Sequence, residues 1–424
     1  MKSINLITLL VIFILTSIQN VFCKSNLDSV YVPIDYDKLN GEKFYLYYEF
    51  GSKYNPSLPT VFAIADGQQF WARPGRAARF QKETFGNKMN VLVLFGRSMN
   101  NLIDSYLRDK NGEIEWQQAY RLFKSDQWIE DIESVRKAVD PNKKINLYGR
   151  SGGGLLLLQY LKKYGDNVEK AFCQTALVPN LESILGFRHD RLWEEIIEYD
   201  EVLGDKLLKS IEENYFEKDD IILTLQRQNF FVESKQIGKE REMLINALFE
   251  NNSVVFDSLK IEYQVEAVKG MSSTSLGISS NVREYEFFMN DYYDIMQENK
   301  TVVRVDIEAV KFYAKPLINE YEKGNVPRPT NDFSNFHNLN TQVFIFAARW
   351  DHTVDYRGQY YLTGLIPKSI LFLVNDNHVF STIYNTDNYS KIVQYALLFD
   401  KSSNEMKIFL EETSSLRWHE WKSE

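Results

Sequence analysis

The chain has 424 residues, 44% hydrophobic and 14% aromatic, enough to bury one large core with a sizeable insertion and far from the composition of a disordered chain. Its formal net charge of −9 argues against a nucleic-acid partner, because that binding neutralises phosphates with clustered Lys and Arg. Two cysteines, Cys23 and Cys173, support neither a disulfide framework nor a cysteine metal site.

At the N-terminus, Met1 and Lys2 lead into the apolar run 6–18 and then Val21, Phe22 and Cys23. A basic start, an apolar run of about 13 residues and a small cleavage site form the layout of a secretory signal peptide over 1–23. The run falls short of the roughly 20 apolar residues that span a bilayer, and no later segment reaches that length, so no stable membrane span is expected in the mature chain. Three sequons, at Asn251, Asn299 and Asn388, suit a secretory route to the extracellular space or an endolysosomal lumen.

Beyond the leader, short β-branched and aromatic runs alternate with helical patterns, the signature of an α/β sheet. The runs predict strands over 30–34, 43–50, 60–65, 90–95, 144–148, 170–177, 342–347 and 369–374. Between the fourth and fifth, 125–139 predicts a helix that Ser125 caps, with Trp128, Ile129, Ile132, Val135 and Val139 recurring at three- and four-residue spacing. A more apolar helix, over 154–164, is of the kind buried against a sheet. Cys173 falls within the sixth run, where a small buried hydrophobe is expected. From 179 the pattern changes to long acidic amphipathic helices, such as 192–211 and 283–297, and the strand pattern resumes near 339. The chain therefore divides into a leader (1–23), a first core segment (24–178), a helical cap insertion (179–338), a second core segment (339–400) and a C-terminal tail (401–424).

The stretch "INLYGRSGGGLLLLQYL" places Ser151 between four glycines, just past a strand and just before an apolar helix. A Gly-x-Ser-x-Gly pattern in that setting predicts a nucleophile elbow, whose strained turn needs small neighbours at Gly149, Gly152 and Gly153. The alternative of a phosphate-binding glycine loop fails, because no Lys-Ser or Lys-Thr follows the glycines. A serine hydroxyl needs a base. Of the five histidines, only His378, in "LFLVNDNHVFS", follows a strand and precedes a helical segment. Asp351, in "VFIFAARWDHTVD", is the acid expected to orient it, with Asp355 as runner-up and Asp376 too near the histidine in sequence. The order Ser151, Asp351, His378 is that of a strand-ordered hydrolase triad. Gly152, at the start of the following helix, is placed to donate its N–H to a developing oxyanion.

The segments "WIEDIESVRKAVDPNKKINLYGRSGGGLLLLQYLKKYGDNV", "ARWDHTVD" and "NDNHVF" resemble the α/β-hydrolases, and among them the proline iminopeptidase and prolyl aminopeptidase group of serine peptidases. The resemblance covers the sheet core, about half the chain. It implies an α/β-hydrolase fold, with a mostly parallel sheet of about eight strands and a helical cap after the sixth. It also implies acyl-enzyme chemistry that removes an N-terminal residue or splits a small ester or amide. In that family a histidine-glycine-glycine-proline-glycine loop after the third strand gives the second oxyanion donor. Here the segment is "AIADGQQFWARPG", so Gln68 takes that role, with Gln69 as the alternative. Gly152 also departs from the large aromatic that the peptidases carry there.

Two charged clusters have bland readings beside sharper ones. Arg73, Arg76 and Arg79 can read a substrate anion, though a solvated helix face is the simpler account. The acids of "DRLWEEIIEYDE" can pair with a substrate amine, with a solvated face again simpler. The sequence thus predicts a secretory-pathway serine hydrolase, aminopeptidase-like, acting on a small molecule or short peptide without a metal or organic cofactor. A carboxylesterase or lipid hydrolase is the close alternative, and a hydrolase-fold binding protein without turnover is the third.

Overall fold

The computed structural model describes residues 26–66, 72–178, 191–271, 273–294 and 305–418. The eight expected strands all form: β1 (Leu27–Pro33), β2 (Lys43–Phe50), β3 (Thr60–Ile64), β4 (Asn90–Leu94), β5 (Ile145–Arg150), β6 (Val168–Gln174), β7 (Gln342–Ala348) and β8 (Ser369–Val374). They make one sheet in the order β1-β2-β4-β3-β5-β6-β7-β8. β2 runs antiparallel to β1 and β4, and every other pairing is parallel. Strands β3 to β8 are buried nearly throughout, which is why they read as continuous apolar runs, whereas β2 alternates exposed and buried residues at the sheet's margin.

Besides short helical segments at Ala77–Phe80, Asn101–Tyr106 and, after the cap, Ser381–Tyr384, the helices before the cap are α1 (Trp116–Phe123), α2 (Ser125–Val139) and α3 (Gly152–Tyr164). Eight more lie between β6 and β7 among the described residues: α4 (Arg191–Tyr199), α5 (Glu201–Glu213), α6 (Lys218–Gln228), α7 (Ile237–Phe249), α8 (Ser253–Glu262), α9 (Val265–Met271), α10 (Ser275–Asp291) and α11 (Val305–Glu322). α12 (Tyr356–Leu365), α13 (Asp387–Leu398) and α14 (Asn404–Glu412) complete the chain. One face of the sheet packs with Ile129, Ile132, Leu155 to Leu158 and Leu362, from α2, α3 and α12. The other packs with Ile392, Val393 and Phe409, from α13 and α14. On that second face Tyr148, Phe172, Phe344 and Phe372 stack from strand to strand, with neighbouring centroids 5.5–5.9 Å apart. This is an α/β-hydrolase fold, with the helical insertion after the sixth strand. The insertion has its own core, built on Leu192, Leu203, Ile222, Leu244 and Phe256.

Local details differ from the sequence reading. Ser125 does not cap α2; it is the first helical residue, and its N–H and hydroxyl both donate to Glu286 of α10, at 2.9 and 3.1 Å. The pattern over 192–211 is two helices, α4 and α5, because Asp200 breaks it and caps Val202. The pattern over 283–297 coincides up to Asp291 with the end of α10, which begins at Ser275, and 295–297 lie outside the described residues. Cys173 is buried, and burial pushes its thiol upward.

Candidate active site

Parallel α/β sheets present their functional residues at the carboxyl ends of the strands. Here backbone pairing runs past those ends and fixes three loops side by side. Ser151 N–H donates to Gln174 O at 2.9 Å, Thr175 N–H to Phe346 O at 2.8 Å, Arg349 N–H to Val374 O at 2.9 Å and Trp350 N–H to Asp376 O at 3.0 Å. β8 lies three positions from β5, about 14 Å at the usual interstrand spacing, so the turn after β8 has to fold back over β7 and β6 to bring His378 to Ser151.

It does so. His378 Nε2 lies 3.0 Å from Ser151 Oγ, and His378 Nδ1 lies 2.7 Å from Asp351 Oδ2. Ser151 carries φ +52° and ψ −124°, a left-handed strain that a non-glycine residue holds only when its surroundings impose it. The crowding is local: a Cβ on Gly149 falls 2.4 Å from Gly153 O, and one on Gly152 falls 1.9 Å from Asp66 Oδ2. The absence of an aromatic at 152 thus has a physical cause, because the buried Asp66 carboxylate occupies that space. Gly152 is the first residue of α3, where backbone N–H groups have no intrahelical acceptor. Gln68 and Gln69 lie outside the described residues.

Asp351 is buried, and its second oxygen Oδ1 accepts from Thr353 N–H at 3.0 Å, Val354 N–H at 2.9 Å and Asn229 Nδ2 at 3.3 Å. The rival acids are committed elsewhere. Asp355 caps α12 and binds Arg357. Asp376 accepts from the backbone N–H groups of Asn377, Thr382 and Ile383 at 2.9–3.1 Å and so shapes the histidine turn; burial pushes its carboxyl upward against those donors. The turn is pinned from below by Phe380, at φ +57°, whose ring stacks on Phe346 at 4.2 Å. Of the other histidines, His337 is exposed on a Ser334 carbonyl and His352 is buried; His189 and His419 lie outside the described residues.

The cap contributes residues that sequence reading missed. Phe230 places its ring 5.0 Å from the His378 ring in an edge contact. Behind Asp351, Glu195 of α4 is buried, not solvated, and is held by Arg241 Nη1 at 3.1 Å and Arg191 Nε at 3.4 Å. Burial pushes its carboxyl upward, and the two guanidiniums oppose that. His352 packs beside it, Nδ1 to Oε2 3.9 Å, and is held well below the usual histidine range by burial and then by Arg241. Glu194 pairs with Arg191 and Arg357 at 3.2 and 3.1 Å. On the other side of the elbow, Arg283 of α10 sits 3.9 Å from Asp66 and bonds Gln159 of α3 at 2.9 Å. Arg79 is exposed and pairs with Glu83, as a solvated face requires. Among the described residues, no three His, Cys, Asp or Glu side chains converge as a metal site does.

No protein-family model matches the chain, and no curated protein matches it in sequence. Solved structures do align over most of its length. An acetylester hydrolase from Corynebacterium glutamicum aligns at 10% identity over 91% of this chain and 96% of its own, with a TM-score of 0.45. A bromoperoxidase from Bacillus anthracis aligns at 14% identity over 91% and 100%, with a TM-score of 0.43. The α/β-hydrolase MGS-M2, from a Medee basin deep-sea metagenome library, aligns at 12% identity over 86% and 98%, also at 0.43. The fold assignment rests on this chain's own strand order and crossovers.

Proposed function

We propose that the protein is a serine hydrolase that cleaves a carboxylic ester or amide through an acyl-enzyme. The observation that carries this reading is the continuous hydrogen-bonded line Ser151–His378–Asp351, with distances of 3.0 and 2.7 Å, on a strained elbow. In the first half-reaction Ser151 Oγ attacks the carbonyl carbon as His378 Nε2 takes its proton, while Asp351 holds Nδ1–H and stabilises the imidazolium. The N–H of Gly152 and that of Gln68 receive the oxyanion; one such donor is worth about 3 kcal/mol. His378 then returns the proton to the leaving alcohol or amine, and water, deprotonated by the same imidazole, releases the acyl group.

Between the two substrate classes, an ester fits better than an N-terminal aminoacyl group. A free substrate amine needs an available cap carboxylate; of the acids in "DRLWEEIIEYDE", Glu194 and Glu195 are already paired with Arg191, Arg241 and Arg357, and Asp190 lies outside the described residues. The leader over 1–23 makes the secretory pathway the compartment, with removal of that leader as its mark. Residues 1–25 lie outside the described residues, and no helix among those described is long and apolar enough to cross a membrane.

A fluorophosphonate probe tests the reaction class: wild type should be labelled and Ser151→Ala should not. Failure of wild type to react across neutral and mildly alkaline pH sinks the hydrolase reading in favour of a binding protein on this fold. Turnover of short-chain esters against aminoacyl amides then decides the substrate class.

A further inference from the structure

One short cap segment, just after α6, touches both loops that carry the proposed base and its acid. Asn229 is fully buried, and its Nδ2 lies 3.3 Å from Asp351 Oδ1 and 3.0 Å from Thr353 Oγ1. Phe230 follows with its edge on the His378 ring, 5.0 Å between centroids at 69°. Val232 O accepts from Asn377 Nδ2 at 2.7 Å, directly beside His378. Asn377 in turn fixes its own turn by donating to Ser381 Oγ at 2.9 Å. Arg227, whose guanidinium lies 5.3 Å from the Phe230 ring and 5.1 Å from that of Phe231, ties the segment to Tyr263 O at 3.0 Å. The segment is anchored at one end in the cap core and at the other on the two loops.

We infer that Asn229 is a positioning residue for the proposed triad, a cap-borne donor that fixes the Asp351 carboxylate, while Phe230 holds the imidazole ring in plane for Ser151. The inference rests on the triad reading for its catalytic meaning, but its geometry stands apart from turnover. Asp351 uses Oδ2 for His378 and Oδ1 for three donors. Two of those are backbone N–H groups of its own loop, and among the described residues only Asn229 comes from outside it. A donor on the far oxygen draws negative charge away from the imidazole and sets the rotation of the carboxylate. Removing it leaves more charge facing the ring, which favours the imidazolium. An acid in its place adds a second negative charge and favours it further. The other charged or titratable groups around His378 are Asp376 on its own turn, Arg227 of the cap segment, and Glu195, Arg191, Arg241 and His352 behind Asp351; all are retained in such variants.

The experiment is a pH titration of the histidine ring signals of the full-length protein by NMR, with His378→Gln used to assign the His378 signal. The titration midpoint should move to higher pH by about half a unit in Asn229→Ala and further in Asn229→Asp. Thr353→Val, which removes the hydroxyl that orients the amide, should move it in the same direction and serves if the Asn229 variants fold poorly. In parallel, the plateau rate of fluorophosphonate labelling should fall about tenfold in Asn229→Ala. A purely structural role would lower the melting temperature and leave the His378 midpoint in place; an unchanged midpoint in folded Asn229 or Thr353 variants overturns the proposal. If the midpoints move while wild type is never labelled, the positioning role stands and the hydrolase reading falls.

Discussion

The sheet core and the cap are assembled on different principles, and the site lies where they meet. In the core, a serine, an acid and a base are placed by strand ends whose order is fixed by parallel pairing. In the cap, α4 to α9 pack on a separate apolar centre, while α10 packs into the core's own cluster, and the cap presents a polar corner, Glu195, Arg191, Arg241 and Asn229, to the back of that constellation. Backbone pairing makes the first arrangement insensitive to single surface changes, whereas the second depends on buried charges that are stable only together.

Substitutions in the cap should therefore break the molecule in ways that the core's surface does not allow. The largest effect is expected from Arg241→Met, which strips the nearer guanidinium from the buried Glu195. Removing one partner of a buried ion pair costs about 3–5 kcal/mol. Urea unfolding should show that loss, and the double change Glu195→Leu with Arg241→Met should recover most of it. A double variant no better than Arg241→Met would mean that this corner is held by shape and not by charge.

A smaller effect comes from His352, whose burial keeps it neutral. Its folded-state affinity for protons is depressed, so below about pH 6.5 the unfolded chain binds a proton that the folded chain does not. Stability then falls on acidification, at up to about 1.4 kcal/mol per pH unit. His352→Gln should remove that part of the slope, and identical acid melts of the two proteins would refute it. The smallest change sharpens the contrast between glycines. Gly152 has no room for a methyl, while Gly270, near the end of α9, has no atom of the described residues within 4 Å of one. Gly270→Ala should raise stability by about 0.5–1 kcal/mol in thermal melts.

Much of the core was legible in the sequence because its signals are local. Strands buried on both faces read as unbroken apolar runs, and all eight formed within a few residues of their expected bounds. The elbow announced itself through glycines that a crowded turn requires. Ser125 was misread because a cap signal looks the same whether the serine closes its own helix or binds a distant Glu286. Glu195 of α4 was misread because amphipathic spacing says which face a residue is on, not whether Arg191 of the same helix and Arg241 of α7 seal it there.

The sequence by itself determined the strands, the insertion between the sixth and seventh of them, and the residue types able to serve as nucleophile, acid and base. Only the tertiary structure decided that His378 reaches Ser151, that Asp355 and Asp376 are engaged elsewhere, and that Asn229 and Phe230 join the site. The reason is one of range. Hydrophobic period and turn chemistry act over a few residues, whereas Asn229 meets an aspartate 122 positions away, through a cap whose packing no local pattern encodes.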